Sequence, residues 1–170
     1  MTTLINLHDL YRMISLKLDT FGEWLPSLLL RLILAWEFGE AGFEKLHGAN
    51  WFADITFPFP FNLLPPDFSW GLATMFEIVG AFALAFGFAT RFFSLTLIIL
   101  TIVAIASVHW PDQWHTLAEL VKGYRISDKE GDGFGNYKLP LLYLIMLLPL
   151  LFSGAGKLSI DYWLSKIFKK

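Results

Sequence analysis

Apolar and polar positions alternate with two different rhythms along this chain. Between Leu4 and Phe21 the apolar residues Leu4, Leu7, Tyr11, Ile14, Leu18 and Phe21 recur at spacings of three and four, while His8, Asp9, Arg12, Lys17 and Asp19 lie mostly off that stripe. The pattern predicts an amphipathic helix lying on a membrane surface, against the competing reading of a soluble helix packed on a partner. Four longer apolar blocks follow, at about 24–46, 70–89, 92–110 and 139–156. Each approaches the roughly 20 residues that a hydrocarbon core of about 30 Å demands. Pro26 and Pro140 fall in first turns, where the missing N–H costs nothing, and Pro149 inside the last block predicts a kink. Thr90 and Arg91 alone join the second and third blocks, so those two form an antiparallel hairpin. The expected fold is all-α: an integral membrane four-helix bundle with an N-terminal interfacial helix, in a single domain over residues 1–170.

Composition agrees with lipid as the solvent. Hydrophobic residues make up 55% of the 170 and charged ones 16%, outside the balance of a soluble domain. Four spans use about half the chain and leave no room for a second, soluble domain. A net charge of -2 gives no basic footprint, which sets nucleic acid aside as a partner. With no cysteine, the chain cannot carry a thiol relay, a thiolate metal site or an iron–sulfur cluster, so any redox role needs a borrowed cofactor or partner. The N-terminus lacks the pattern of a cleaved signal, and the first span is expected to insert uncleaved. At the span ends Arg12, Lys17, Arg91, Lys157, Lys166, Lys169 and Lys170 lie on one side, and Lys45, Lys122, Arg125, Lys129 and Lys138 on the other. The positive-inside rule then puts both termini in the cytoplasm and the two long loops outside the inner membrane.

The intramembrane charges are the candidate chemistry. On an ideal helix Glu37, Glu40, Glu44 and His47 fall within an arc of roughly 80°. In lipid such a ladder is expected to turn inward, because each exposed carboxylate costs several kcal/mol. Glu77 enters from the same side at similar depth, and His109, Asn136, Tyr137 and Lys138 cluster at that end. These groups could ligate a metal through Glu40, Glu44, His47, Glu77 and His109, relay protons, or hold a quinone headgroup. Glu44-x-x-His47 has the spacing of half a di-iron site, but the matching second half is missing. The plainer reading is that Arg31, Lys45, Glu37, Glu40 and Glu77 form ion pairs that set helix register. Two cations against four carboxylates leave an excess that must take up protons, a metal or a cationic ligand. Arg31 lies nearer the cytoplasmic half and is expected to pair with Glu77 or to snorkel.

Three loop features are weaker. His115 reads as an exposed loop histidine. Asp128 to Gly133 echoes the first half of a calcium loop, but Leu139 stands where the bidentate glutamate belongs. The segment from His47 to Ser69 is so rich in aromatics and prolines that it is expected to lie in the membrane interface or to fold as a lid over the bundle.

Gly42-Phe43-Glu44-Lys45-Leu46, Glu77 before Gly80, and Gly154-Ala155-Gly156-Lys157-Leu158-Ser159-Ile160-Asp161 together resemble the DoxX family of small four-span membrane proteins, over nearly the whole chain. Asn50-Trp51-Phe52-Ala53-Asp54, Phe57-Pro58-Phe59-Pro60-Phe61, Val108-His109-Trp110-Pro111 and Gly135-Asn136-Tyr137-Lys138-Leu139-Pro140 look like its HvfX branch. That branch is associated with maturation of copper-binding, ribosomally made peptides, and the wider family with quinone-dependent sulfur oxidation and membrane complexes against oxidative stress. The resemblance implies membrane or peptide-maturation partners but supplies no catalytic motif, so enzymatic activity stays open.

Three functions fit: an accessory subunit holding a metal ion or quinone, a small proton-coupled transporter or export factor, and a structural scaffold. The first is preferred, because four short spans leave little room for alternating access between repeated halves. A second copy of the chain would relax that limit. Hard carboxylates with imidazole suit iron, manganese, zinc or copper(II) better than copper(I), and Met1, Met13, Met75 and Met146 have no methionine-rich spacing.

Overall fold

Long runs of good helix formers, with proline confined, Pro149 apart, to first turns and loops, leave helix as the natural conformation of most of this chain. The computed structural model describes residues 7–112, 114–127 and 132–168, which contain helices and connecting loops and no strand. The principal helices are α1 (Leu7–Gly22), α2 (Leu25–His47), α3 (Pro66–Phe86), α4 (Thr90–Ala104), α5 (Leu117–Lys122), α6 (Lys138–Ser153) and α7 (Ile160–Phe168). A π-helical turn, Ile105–His109, continues α4. Met1, Leu4, Lys129, Lys169, Lys170 and the Asp128 to Gly131 part of the expected calcium-like loop lie outside the described residues.

Four of these helices pack in a closed cycle, α2 on α3, α3 on α4, α4 on α6 and α6 back on α2. Their shared core is Leu34, Phe38, Ala81, Leu84, Leu97, Leu147 and Leu150. The α2–α3 seam is the closest, because Gly39 and Gly42 face α3 with no side chain in the way. A Cβ on Gly42 would stand 2.7 Å from Ile78 Cγ1 and 3.1 Å from the Ile78 nitrogen, whereas one on Gly39 would make an ordinary 3.5 Å contact with the Ala81 Cβ. Small residues at such a seam let backbones approach where lipid supplies no hydrophobic drive.

Outside the core the surface is apolar: Trp36, Phe86, Phe152 and Ile145 are all more than half exposed. Two helices, Pro66–Phe86 and Thr90–His109, are long and apolar enough to cross a membrane. Lys138–Ser153 is equally apolar but shorter, at 16 residues, and α2 has the length, 23 residues, but carries charges. The helix α1 has no buried residue, and its stripe of Leu7, Tyr11, Ile14, Leu18 and Phe21 is exposed.

The hairpin link is Gly87 to Ala89, one turn earlier than the spacing predicts, and Thr90 and Arg91 open α4. Gly87 adopts φ +65° and ends α3; Ala89 follows at φ +46°. A side chain elsewhere in the sequence supports this turn. Asp161, at the start of α7, accepts hydrogen bonds from the N–H groups of Ala89 (2.7 Å) and Thr90 (2.8 Å), serving as a cap from outside the helix.

Arg31 secures the same corner. It is fully buried, donating from Nη1 to the carbonyls of Leu84 (3.0 Å) and Ala85 (3.1 Å) and from Nη2 to that of Leu158 (2.6 Å). The expectation of a Glu77 partner or of snorkelling is therefore corrected. At the end of α3 the Leu84 carbonyl keeps only the short bond from the Gly87 N–H and accepts from the guanidinium beside it, while Glu77 lies seven residues away, about 10 Å along the helix.

Candidate functional site

At the end of the four-helix cycle that carries His47 and His109, the helices enclose a cavity of about 580 Å³. Its walls are mainly apolar: Phe38 and Ala41 from α2, Leu72 and Phe76 from α3, Ile99 and Leu100 from α4, and Pro140 from α6. The segment between α2 and α3 covers it with Trp51, Phe52, Ile55, Phe57, Phe61 and Leu64. That cover holds together by edge-to-face aromatic packing, with Phe52 5.0 Å from both Trp70 and Phe57. Asn50 pins its start, donating to Asp67 at 2.6 Å and accepting from the Phe52 N–H at 2.9 Å. Of the two expectations for this segment, the lid describes its inner face; Phe59 and Leu63 remain exposed on the other.

Few polar groups reach the cavity, and most are paired. Lys45 Nζ lies 2.9 Å from both carboxylate oxygens of Glu77. Tyr143 donates its hydroxyl to Glu37 Oε2. His109 Nδ1 stands 2.6 Å from Asn136 Oδ1. The hydroxyls of Ser69 and Ser107 are buried without a partner, and both residues line the cavity. Buried hydroxyls are rarely left so, and each could bond a bound molecule.

Residues 27–110 match the DoxX family. The chain is also 44% identical to an uncharacterized protein of Haemophilus influenzae over 154 residues, which cover 89% of this chain and 91% of that protein. The chain belongs to the DoxX family. No solved structure matches it. The DoxX match takes in α2, α3, α4 and the π-helical turn, and so includes Glu37, Lys45, Glu77 and His109. Tyr143 and Asn136, which hold two of these residues, come from beyond it.

The DoxX chain does not bring its acidic ladder together. Glu37 is half-buried on the cavity wall, whereas Glu40, Glu44 and His47 are exposed on the outside of α2. Helical geometry gives the reason. The packed face of α2 is Arg31, Leu34, Phe38 and Gly42, and the middle of the ladder lies on the opposite side of the helix. His47 turns back on its own helix, its Nδ1 2.9 Å from the Phe43 carbonyl oxygen. The candidate metal set of Glu40, Glu44, His47, Glu77 and His109 is thereby split. Among the described residues no three His, Asp or Glu side chains are grouped closely enough to share a metal ion.

The proposed register pairs are also re-sorted: Lys45 takes Glu77, Arg31 takes carbonyls, and Glu40 has neither. His115 is exposed, 3.9 Å from Glu119. Sequence reasoning missed Tyr143, which sits in an uncharged apolar block and gives no periodic signal. It also missed the capping role of Asp161, although that residue ends the Gly154 to Asp161 segment on which the resemblance rests.

Proposed function

We propose that this DoxX protein is an accessory subunit of the inner membrane that holds the ring of a small, lipid-soluble molecule of the quinone type for a redox or peptide-maturation partner. The cavity carries this reading. Its volume of about 580 Å³ falls within the range of ligand sites, and its wall combines apolar and aromatic surface with a few placed polar groups. The unpartnered hydroxyls of Ser69 and Ser107 add hydrogen-bonding capacity that the protein itself does not use. A metal centre has less support, because the carboxylates diverge.

In this reading α2, α3, α4 and α6 all cross the bilayer as a four-helix bundle, both termini are cytoplasmic, and α1 lies in the interface. The apolar outer surface of the bundle and the pairing of the charges of α2 that face inward support the four crossings. The resemblance to the HvfX branch points to maturation of copper-binding peptides as the setting, with the copper carried by the peptide.

The test is direct. Protein purified in mild detergent is extracted for quinones and measured for metals on the same sample. A short-tailed quinone is then titrated while tryptophan fluorescence is followed, since Trp51 lines the cavity. The expected result is saturable quenching at about one quinone per chain, weakened in Glu37→Gln and Tyr143→Phe. No retained quinone and no saturable binding would remove the reading, and a stoichiometric metal lost on Glu77→Gln would replace it with a metal site.

A further inference from the structure

Three independent features act on His109. The first is the π-helical turn at the end of α4, in which the Trp110 N–H bonds the Ile105 carbonyl at 2.8 Å. Such a turn re-aims the side chains that follow it and recurs at functional sites. The second is a two-point clamp from the chain that enters α6. The Asn136 N–H donates to the His109 carbonyl at 3.0 Å, while Asn136 Oδ1 meets the ring at Nδ1. The third is Gly135, at φ +70°, where a Cβ would stand 2.2 Å from the His109 carbonyl oxygen. Only glycine permits that approach and that conformation.

The clamp decides the chemistry of the ring. An amide oxygen accepts hydrogen bonds and cannot donate them, so His109 Nδ1 must carry the hydrogen. In the neutral imidazole Nε2 is then a lone-pair acceptor, and no protein group among the described residues bonds to it. His109 lines the cavity. Glu37 and Glu77 each already accept from a neighbouring side chain, whereas the Nε2 lone pair of His109 is used by none among the described residues. On the same turn the buried hydroxyl of Ser107 lacks a partner as well.

We propose that His109 Nε2 accepts a hydrogen bond from a ring hydroxyl of the bound molecule. The cavity thereby prefers hydroquinones and related phenols to the corresponding quinones, and Asn136 is the positioning residue that sets the tautomer. This rests on the reading of the cavity as a ring-binding site. A quinone carbonyl facing Nε2 would set acceptor against acceptor, whereas a hydroquinone hydroxyl supplies the missing hydrogen.

The experiment compares three probes on whole protein in nanodiscs without oxygen: a decyl-tailed hydroquinone, its quinone, and its di-O-methyl ether. Wild type should bind the hydroquinone about tenfold more tightly than either of the others, the weight of one good hydrogen bond. His109→Phe should equalise the three, chiefly by weakening the hydroquinone. Asn136→Asp, which keeps an acceptor oxygen, should retain the preference, and Asn136→Leu should lose it. Nitrogen-15 spectra of histidine-labelled wild type should show two rings with the proton on Nδ1, those of His109 and of His47, whose Nδ1 faces the Phe43 carbonyl, and only the His109 signal should become mixed in Asn136→Leu; the wild-type spectra and preference need no variant to fold.

Equal binding of quinone and hydroquinone by wild type would overturn the proposal and leave the cavity reading standing. An unchanged preference in His109→Phe would overturn the assignment to His109. Failure of all three probes to bind would overturn both.

Discussion

Lys45 Nζ sits equidistant from the two carboxylate oxygens of Glu77, 2.9 Å from each, with the Glu77 side chain 4% exposed and that of Lys45 17%. Two charges removed from water in this way attract strongly, but each also forfeits its hydration. Removing one partner strands the other. Glu77→Leu or Lys45→Met alone should therefore cost about 3–5 kcal/mol. Changing both together should cost far less than the sum of the two single changes. A double-mutant cycle read by unfolding in detergent tests this. Single changes of less than about 1 kcal/mol would mean that water or lipid headgroups already screen the pair.

The corner built by Arg31 and Asp161 should respond differently to its two residues. Asp161→Ala removes an acceptor for the Ala89 and Thr90 N–H groups and should cost about 1–2 kcal/mol, as loss of a helix cap does. Arg31→Lys keeps the charge but loses the fork that reaches three carbonyls from two nitrogens, so it should be the more damaging. Thermal unfolding of both variants ranks them, and a wild-type midpoint for Arg31→Lys would show that charge alone matters at Arg31.

Glycine positions on the packed helices divide just as sharply. Gly42→Ala forces a Cβ against Ile78, including its backbone nitrogen, and should cost about 1–3 kcal/mol as overpacking does. Gly71→Ala in α3 meets nothing within 4 Å and should stabilise the helix by about 0.5–1 kcal/mol. Expression and unfolding of the two variants side by side measure the difference.

At the loop helix α5, the His115 N–H and then the Thr116 N–H bond the Glu119 carboxylate and hold it below the usual carboxylate range. A lowered folded value means that the stabilisation is present above the unfolded value, about 4.3, and is lost as the pH falls through the folded one. Amide-exchange protection of Glu119 and Leu120 should accordingly fade below about pH 4. Glu119→Gln, which keeps a neutral acceptor in the capping box, should flatten that dependence.

Much of the helical layout was legible because apolar runs and first-turn prolines act locally. The start of α3 at Pro66 instead of Trp70, and the hairpin link at Gly87 to Ala89, were not, since both depend on what caps them. Asp161 reaches the start of α4 across 71 residues of chain, a relation that no spacing reveals. The candidate site was half legible. Glu37, Lys45, Glu77 and His109 stood out as charged or polar groups in apolar surroundings, but periodicity gave only their angles around each helix. Which side of α2 faces inward was decided by Gly39 and Gly42, where α3 can approach most closely.

That orientation of α2 supplies a last prediction, because it separates residues that the sequence placed on one ladder. Glu37 lines the cavity and accepts from Tyr143, while Glu40 and Glu44, three and seven residues on, face away from it. Glu37→Gln should weaken binding of a ring ligand by about tenfold, since the charged acceptor that orders Tyr143 is lost. Glu40→Gln and Glu44→Gln should leave that affinity within about twofold, a change too small to mark a lost hydrogen bond. Titrating one quinone probe against all three variants discriminates the faces. Equal losses at Glu37 and Glu40 would mean that α2 is rotated toward its acidic side in the membrane, and that the cavity described here is not the site.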